Sequence, residues 1–327
     1  MRAIRIEQYG GLEVLRLQDV PLPRCEAGHV VLRVEAAGVN FADTRHRAGN
    51  YPWGEPPPTT LGLEACGAIE EVGKGVSGYK AGDRVAALTN GAYAEYARAP
   101  ASMVIPLPEG MDSVTGAAFP LQALTAYHLT HTAHVVQEHE TVLVHAAAGG
   151  VGLMLVQLAK LRGARVIGTT SSEEKAKAIR ELGGDEVINY TTSLFDEEVL
   201  RLTQGAGVDV AYDAVGRATF ERNFNALKLF GHLVSFGAAS GIPEPVQPRV
   251  LYAKSLKLSG FVLYAVARLP SVWAQGMAQV VKLWQEGKLR VTVHRVLPLE
   301  EAAEAHRLLE SRGSIGKIVL RVGKAAA

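Results

Sequence analysis

Cysteine is almost missing from this chain: Cys25 and Cys66 are the only two among 327 residues. Two thiols cannot build a disulfide framework or a four-thiolate metal lobe, and a single bond between them is not expected in a reducing compartment. Aromatic residues are scarce, at 6%, and no basic face studded with them offers a platform for stacked bases. An excess of either charge is also lacking. Lysine and arginine number 34 against 33 aspartates and glutamates, a formal net charge of +1. No charged block therefore calls for nucleic acid or a membrane surface. No apolar run is long enough to span a bilayer. The opening MRAIRIEQYG has neither the apolar core nor the cleavage site of a signal peptide, so a cytoplasmic location is expected.

What is present is a globular composition, 48% hydrophobic and 20% charged. The length exceeds one ordinary core, so two domains are expected. The first hundred residues read as β-rich. Val30, Leu32 and Val34 alternate with Val31, Arg33 and Glu35, which fits a half-buried strand. Cys66 to Val72, Arg84 to Leu88 and Ala92 to Ala97 read as further short strands, separated by glycines and by Pro56-Pro57-Pro58. Near Asp112 the pattern changes to alternating strands and helices. Thr141 to Ala146, Arg165 to Thr169, Glu186 to Asn189, Val208 to Asp213 and His232 to Phe236 are the strands. Such βαβ alternation implies a doubly wound parallel sheet with helices on both faces. Ser171 and Glu174 make a candidate capping box for the helix that ends near Gly183-Gly184. After Gly241 come a strand over Leu256 to Leu263, an amphipathic helix over Ser271 to Gln285, a strand over Val291 to Val296, a helix over Glu300 to Glu310 and a closing strand from Lys317 to Val322.

The most informative motif runs from Val142 through His145-Ala146-Ala147-Ala148-Gly149-Gly150-Val151-Gly152. An apolar strand enters a glycine turn and a helix opens after it, a variant of the dinucleotide fingerprint with Ala146 in the earliest slot. Gly149 and Gly150 leave room for a pyrophosphate at the helix N-terminus, and Gly152 allows close helix–strand packing. A tight turn without a ligand is the competing reading; the strand, the helix and the following βαβ series count against it. An NAD site places a carboxylate about twenty residues on, at the end of the second strand. Here the chain reads Val166-Ile167-Gly168-Thr169-Thr170-Ser171-Ser172, with Lys175 one helical turn beyond. Hydroxyls and an ammonium suit a 2′-phosphate, which a carboxylate would repel, so NADPH is the expected cofactor, although Glu173 and Glu174 lie nearby.

At this point the residues carry a family likeness. Val39-Asn40-Phe41-Ala42-Asp43, Arg47, Gly49, Tyr51, Gly62-Leu63-Glu64 and Gly82-Asp83-Arg84-Val85 resemble the N-terminal domain of the quinone oxidoreductases. So do Ala146 to Gly152, Val187-Ile188-Asn189-Tyr190, Tyr212-Asp213-Ala214-Val215-Gly216 and Ser235-Phe236-Gly237. The chain resembles the zinc-free, ζ-crystallin-like branch of the medium-chain dehydrogenase/reductases over essentially its whole length. The likeness implies an α/β protein: a GroES-like β-rich catalytic domain over 1–112, a Rossmann NADPH-binding domain over 113–288, and a return segment over 289–327 that completes the first. It implies a cleft holding NADPH, with Asn40, Asp43 and Tyr51 near the nicotinamide end and Thr125 beside that ring. Gly149, Gly150 and Val151 would lie under the pyrophosphate. Ser171, Lys175 and Tyr190 would surround the 2′-phosphate, with Phe236, Gly237 and Val262 over the cofactor's other face. Arg45 stands where the family often has an aromatic.

Zinc alcohol dehydrogenases of this architecture need Cys, His and a carboxylate on the metal. Asn40 stands at the first position and Leu63, before Glu64, at the second, and neither side chain replaces a thiolate or an imidazole. No metal is expected. Alcohol oxidation would then lack its activator, whereas quinones and enones accept hydride with less help. Asn40 and Tyr51 are the expected polar donors. His128, His131 and His134 are read as solvent-facing, and Arg45-His46-Arg47 as a solvated loop. No G-x-S-x-G elbow supports hydrolase chemistry. The expected function is NADPH:quinone reduction; the alternatives are reduction of enones and a cofactor-binding structural or RNA-binding role with little turnover. A homodimer paired through Leu256 to Leu263 is expected.

Overall fold

The computed structural model describes residues 1–323. The chain divides into two compact units, Met1–Leu121 with Val291–Ala327, and Gln122–Arg290.

The first unit begins with β1 (Arg2–Ile6), β2 (Arg16–Asp19), β3 (His29–Val39), β4 (Thr59–Thr60), β5 (Glu64–Val72), β6 (Arg84–Leu88), β7 (Tyr96–Pro100) and β8 (Val104–Pro106). The second contributes β9 (Thr141–Val144), β10 (Arg165–Thr170), β11 (Glu186–Asn189), β12 (Val208–Asp213), β13 (Leu227–Ser235) and β14 (Lys257–Gly260). The chain then returns with β15 (Val293–Pro298) and β16 (Lys317–Arg321). The helices that matter below are α1 (Phe41–Arg47), α2 (Ser113–Ala118), α3 (Pro120–His128), α4 (Gly150–Leu161), α5 (Glu173–Glu181), α6 (Phe195–Leu202) and α7 (Phe220–Ala226).

In the first unit a sheet in the order β15-β16-β3-β5-β6-β8 forms, with β7 also on β3. β16 pairs antiparallel with the end of β3, placing Ile318 opposite Val39. This is why the far C-terminal segment belongs to the N-terminal unit. Ile4, Ile6, Val34, Leu61, Tyr93, Leu320 and neighbours form its core. The unit extends past Asp112 because α2 packs on β3 and β5. Two elements differ from expectation. The strand near Ala92 to Ala97 lies at Tyr96–Pro100, and Ala92 to Ala94 instead supply buried packing with a single bridge to Ala3. Arg45 to Arg47 are not a solvated loop but the last turn of α1, with His46 and Arg47 buried.

In the second unit six parallel strands take the order β11-β10-β9-β12-β13-β14. Val142, Leu143 and Val144 are fully buried, as a central strand covered on both faces requires. The order reverses between β9 and β12. In open sheets of this kind ligands bind outside the carboxyl ends of the strands at that switch point. The expected strand over Leu256 to Leu263 shortens to β14, and Leu263–Val266 is helical. Among the described residues no helix is long and apolar enough to cross a membrane.

Candidate functional site

The glycine turn lies at the switch point. β9 ends at Val144, Ala146 takes a left-handed φ of 49°, and Gly149 caps α4. Gly152 has no room for a side chain: a Cβ there would come 2.4 Å from the Ala146 carbonyl and 2.7 Å from the Ala147 backbone. At Gly149 the nearest atom would be the Ala146 carbonyl, at 3.2 Å. Gly152 therefore sets the closeness of α4 to the turn, while the first N–H groups of α4 remain directed at whatever binds there.

The expected 2′-phosphate residues stand at the neighbouring strand ends. β10 and β11 pair Thr170 with Asn189, so Ser171 and Tyr190 follow side by side, and the Tyr190 N–H donates to the Thr170 carbonyl at 3.0 Å. The cap of α5 is Ser172, not Ser171: its hydroxyl accepts from the Lys175 N–H at 3.4 Å. With Lys175 at the third helical position, the expected Ser171–Glu174 capping box is replaced. Phe236 and Gly237 follow β13, the Phe236 N–H donating to the Asp213 carbonyl at 2.9 Å, and Val262 follows β14. Gly149, Gly150, Val151, Ser171, Lys175, Tyr190, Phe236, Gly237 and Val262 all retain solvent exposure. Thr125 is buried on α3.

In the first unit Asn40, Asp43 and Tyr51 cluster around α1. Asn40 ends the extended run of β3 and caps α1. Its Nδ2 donates to Glu64 Oε1 at 3.0 Å and, more weakly, to the Gly38 carbonyl at 3.4 Å. Its Oδ1 accepts from Lys317 Nζ at 2.5 Å, and the same ammonium pairs with Glu64 Oε1. Glu64 Oε2 accepts from the Leu121 N–H at 2.9 Å. Glu64 is 0% and Lys317 4% exposed, so this ion pair is desolvated and depends on those further hydrogen bonds. Asn40 is thus bound through both ends of its amide.

Asp43 is also fully buried. Its Oδ2 accepts from the Asn40 N–H at 2.8 Å and the Tyr93 hydroxyl at 3.0 Å, and Oδ1 has no hydrogen-bond partner among the described residues. Burial pushes its pKa up to about 7 against those bonds. Behind Tyr93 the chain of contacts continues through His306 at 3.4 Å to Arg47 at 3.2 Å, which pairs with Glu310 at 2.6 Å. Asp43 is a buried part of the cap of α1. Tyr51, half-buried in the loop after α1, packs edge-on against Trp53 with ring centres 5.4 Å apart. Burial first, then the Asp43 charge, pushes its pKa up to about 12, so the hydroxyl keeps its proton.

Sequence reasoning missed Lys317 as a site residue. The signal was a lysine opening an otherwise apolar run, Lys317-Ile318-Val319-Leu320, on a strand that proves to be flanked on both sides, by β15 and β3. It also misplaced the histidines. His128 is fully buried and stacks against Trp273, 6.2 Å between ring centres, and His131 stacks on Tyr127 at 4.2 Å. Among the described residues no group of three or more His, Cys, Asp or Glu is arranged to hold a metal.

A glycine turn at the switch point of a doubly wound sheet, joined to a β-rich unit that the chain leaves and re-enters, defines a two-unit dehydrogenase/reductase architecture. The family model for the GroES-like domain of alcohol dehydrogenases matches residues 26–109, and that for zinc-binding dehydrogenases matches 150–282. The chain is 38% identical over 331 residues to a 2-haloacrylate reductase from Burkholderia, covering 96% of this chain and 97% of that one. It is 38% identical over 322 residues to a quinone oxidoreductase from Pseudomonas aeruginosa, covering 98% and 99%. The solved structure of Escherichia coli quinone oxidoreductase complexed with NADPH superposes with a TM-score of 0.94 at 35% identity, over 98% of this chain and 100% of that one. The chain belongs to the quinone oxidoreductase branch of the medium-chain dehydrogenase/reductases.

Proposed function

We propose that this protein is an NADPH-dependent quinone reductase that works without a catalytic metal. The observation that carries the metal-free reading is Lys317. Its ammonium occupies Asn40 Oδ1 and Glu64 Oε1, so the polar side chains at and beside the positions where zinc relatives hold their ion already bind a cation of the chain itself. An amide and the apolar Leu63 supply no donor that zinc prefers. NADPH suits the second unit: α4 offers its N-terminus to the pyrophosphate, and Ser171 and Tyr190, side by side after β10 and β11, would hold the 2′-phosphate with Lys175. When bound, NADPH supplies the hydride.

The residues of the first unit handle charge and position. Tyr51, protonated at neutral pH, donates to the oxygen on which negative charge develops. Asn40, Glu64 and Lys317 form a rigid floor that holds α1 and the loop carrying Tyr51. A conjugated acceptor needs no more, because its charge is delocalised. The 2-haloacrylate reductase relative gives the second reading, reduction of an activated carbon–carbon double bond, the same hydride transfer to a different conjugated acceptor. A homodimer paired through β14 is part of the proposal. β14 is an edge strand, and Leu258 on it and Tyr252 just before it are exposed. Light scattering at micromolar concentration tests it, and a monomer refutes it.

The decisive assay follows absorbance at 340 nm with NADPH, and separately NADH, against 1,4-benzoquinone, 9,10-phenanthrenequinone, 1-penten-3-one and 2-chloroacrylate. Faster turnover of the quinones with NADPH is the expected result, undiminished after dialysis against a chelator. Turnover of the alkenes alone moves the function to double-bond reduction. Tight NADPH binding without turnover of any acceptor refutes the enzyme reading.

A further inference from the structure

His145 lies directly before the glycine turn, is 2% exposed, and takes no part in the chemistry above. Its two ring nitrogens reach two different elements. Nδ1 lies 3.1 Å from Thr169 Oγ1 near the end of β10, and Nε2 lies 2.9 Å from Asn223 Oδ1 on α7. Asn223 Nδ2 donates to Asp213 Oδ2 at 2.9 Å, where the Thr219 hydroxyl also donates at 2.8 Å. Asp213 Oδ1 accepts from the N–H groups of Val215 at 2.7 Å and Gly216 at 3.1 Å, in the loop after β12.

These contacts fix every proton. The Asp213 carboxylate accepts on both oxygens, so the Asn223 amide must turn its NH2 toward it and its oxygen toward His145. Nε2 of His145 therefore carries the hydrogen. Nδ1 is left as an acceptor, so the Thr169 hydroxyl donates to it. Burial holds the imidazole below its ordinary pKa, which favours the neutral ring. The outcome is a one-way chain, Thr169 to His145 to Asn223 to Asp213, in which each of these side-chain nitrogens and oxygens has at least one partner, with the ring braced edge-on by Phe195 at 4.6 Å. It joins the carboxyl ends of β10, β9 and β12, of which β9 and β12 flank the switch point. The backbone follows the same ties: the Ala147 N–H donates to the Thr169 carbonyl and the His145 N–H to the Tyr212 carbonyl, each at 3.1 Å.

We propose that His145 is the positioning residue of the cofactor turn, holding the Ala146–Gly149 backbone and the loops after β10 and β12 in the one arrangement that receives the dinucleotide. The proposal rests on the NADPH reading. A buried polar network that is completely satisfied rigidifies what it joins, and one missing member leaves others unpaired. Its loss therefore affects the binding geometry of the turn more than the chemistry in the other unit.

Thr169→Val, nearly isosteric, removes the donor to Nδ1, and His145→Phe keeps the ring against Phe195 while removing both nitrogens. The measurements are the NADPH Kd by calorimetry, the thermal midpoint, and kcat at saturating NADPH. Each variant is expected to raise the Kd about tenfold. The double variant should be no weaker than the worse single one, because both break one chain. kcat at saturation should stay within about twofold. A folded Thr169→Val protein with a lower midpoint but a Kd within about twofold of wild type overturns the proposal, since the network then serves stability alone. Additive effects of the two changes on Kd overturn it as well. Failure of the wild type itself to bind NADPH at millimolar concentration would refute the cofactor reading, an outcome separate from unperturbed variants beside a binding wild type.

Discussion

Asp43 links the pH dependence of stability to the residues around Asn40. Folded, its pKa is pushed up to about 7; its ordinary value is 3.8. Below about pH 4 the folded and unfolded chains both hold this proton, and the group adds no slope. Between about 4 and 7 the folded chain holds a proton that the unfolded chain has lost, so stability falls as pH rises, by ~1.4 kcal/mol per unit. Above about 7 both states are ionised and the slope disappears. Over the whole window the loss amounts to about 4 kcal/mol. Asp43→Asn is the perturbation. The amide resembles the protonated acid, its oxygen can still accept from the Asn40 N–H and the Tyr93 hydroxyl, and it cannot ionise. The variant's stability relative to wild type should therefore rise by ~1.4 kcal/mol per unit between pH 5 and 7 and then level off. Guanidinium unfolding at pH 5, 6, 7 and 8 measures this. Trp53 is the single tryptophan of the first unit, and Trp273 and Trp284 belong to the second. A Trp273→Phe/Trp284→Phe background thus reports the first unit alone, which matters because two units need not unfold together. If the difference between variant and wild type is the same at pH 5 and pH 8, the folded carboxyl titrates normally and the argument from burial is wrong.

The Lys317–Glu64 pair should show strong coupling. Lys317→Met alone strands a buried carboxylate and should cost about 3–5 kcal/mol, whereas Lys317→Met with Glu64→Gln should recover most of it, as read from urea unfolding. At the glycine turn, Gly152→Ala forces a backbone shift and should cost about 1–3 kcal/mol with weakened NADPH binding. Gly149→Ala, whose nearest contact would be at 3.2 Å, should be tolerated far better; equal effects in a side-by-side titration would contradict the packing. Lys175→Glu should lower the ratio of kcat/KM for NADPH over NADH by about tenfold or more, through repulsion of the 2′-phosphate, and an unchanged ratio would remove Lys175 from the phosphate site. Tyr51→Phe should lower kcat on the order of a hundredfold with a smaller change in KM. An unaffected kcat would mean that Tyr51 only packs against Trp53.

Local chemistry was legible in the residues themselves. The run from Val142 to Gly152 announces strand, turn and helix because three apolar strand residues, three glycines and the start of a helical stripe are each short-range signals. The lack of a carboxylate after β10 is equally local. Helix ends were less secure: Ser171 and Ser172 are both able caps, and only the backbone decides that Ser172 takes the role. The limits of β14 were misjudged because apolar residues continue past it, through Phe261, Val262 and Leu263, and hydrophobicity alone does not say where a strand gives way to a helix.

By itself, then, the sequence determined the two-unit plan and the glycine turn, since each follows from patterns a few residues long. Tertiary structure alone decided what Asn40, Asp43 and Lys317 do. Asn40 and Lys317 lie 277 positions apart, and only the antiparallel pairing of β16 with β3 brings them into contact. Once they are buried together with Glu64, the cost of desolvating a carboxylate and an ammonium favours partners for the polar atoms of all three side chains. That requirement, invisible along the chain, ties Asn40, Glu64 and Lys317 into one clasp.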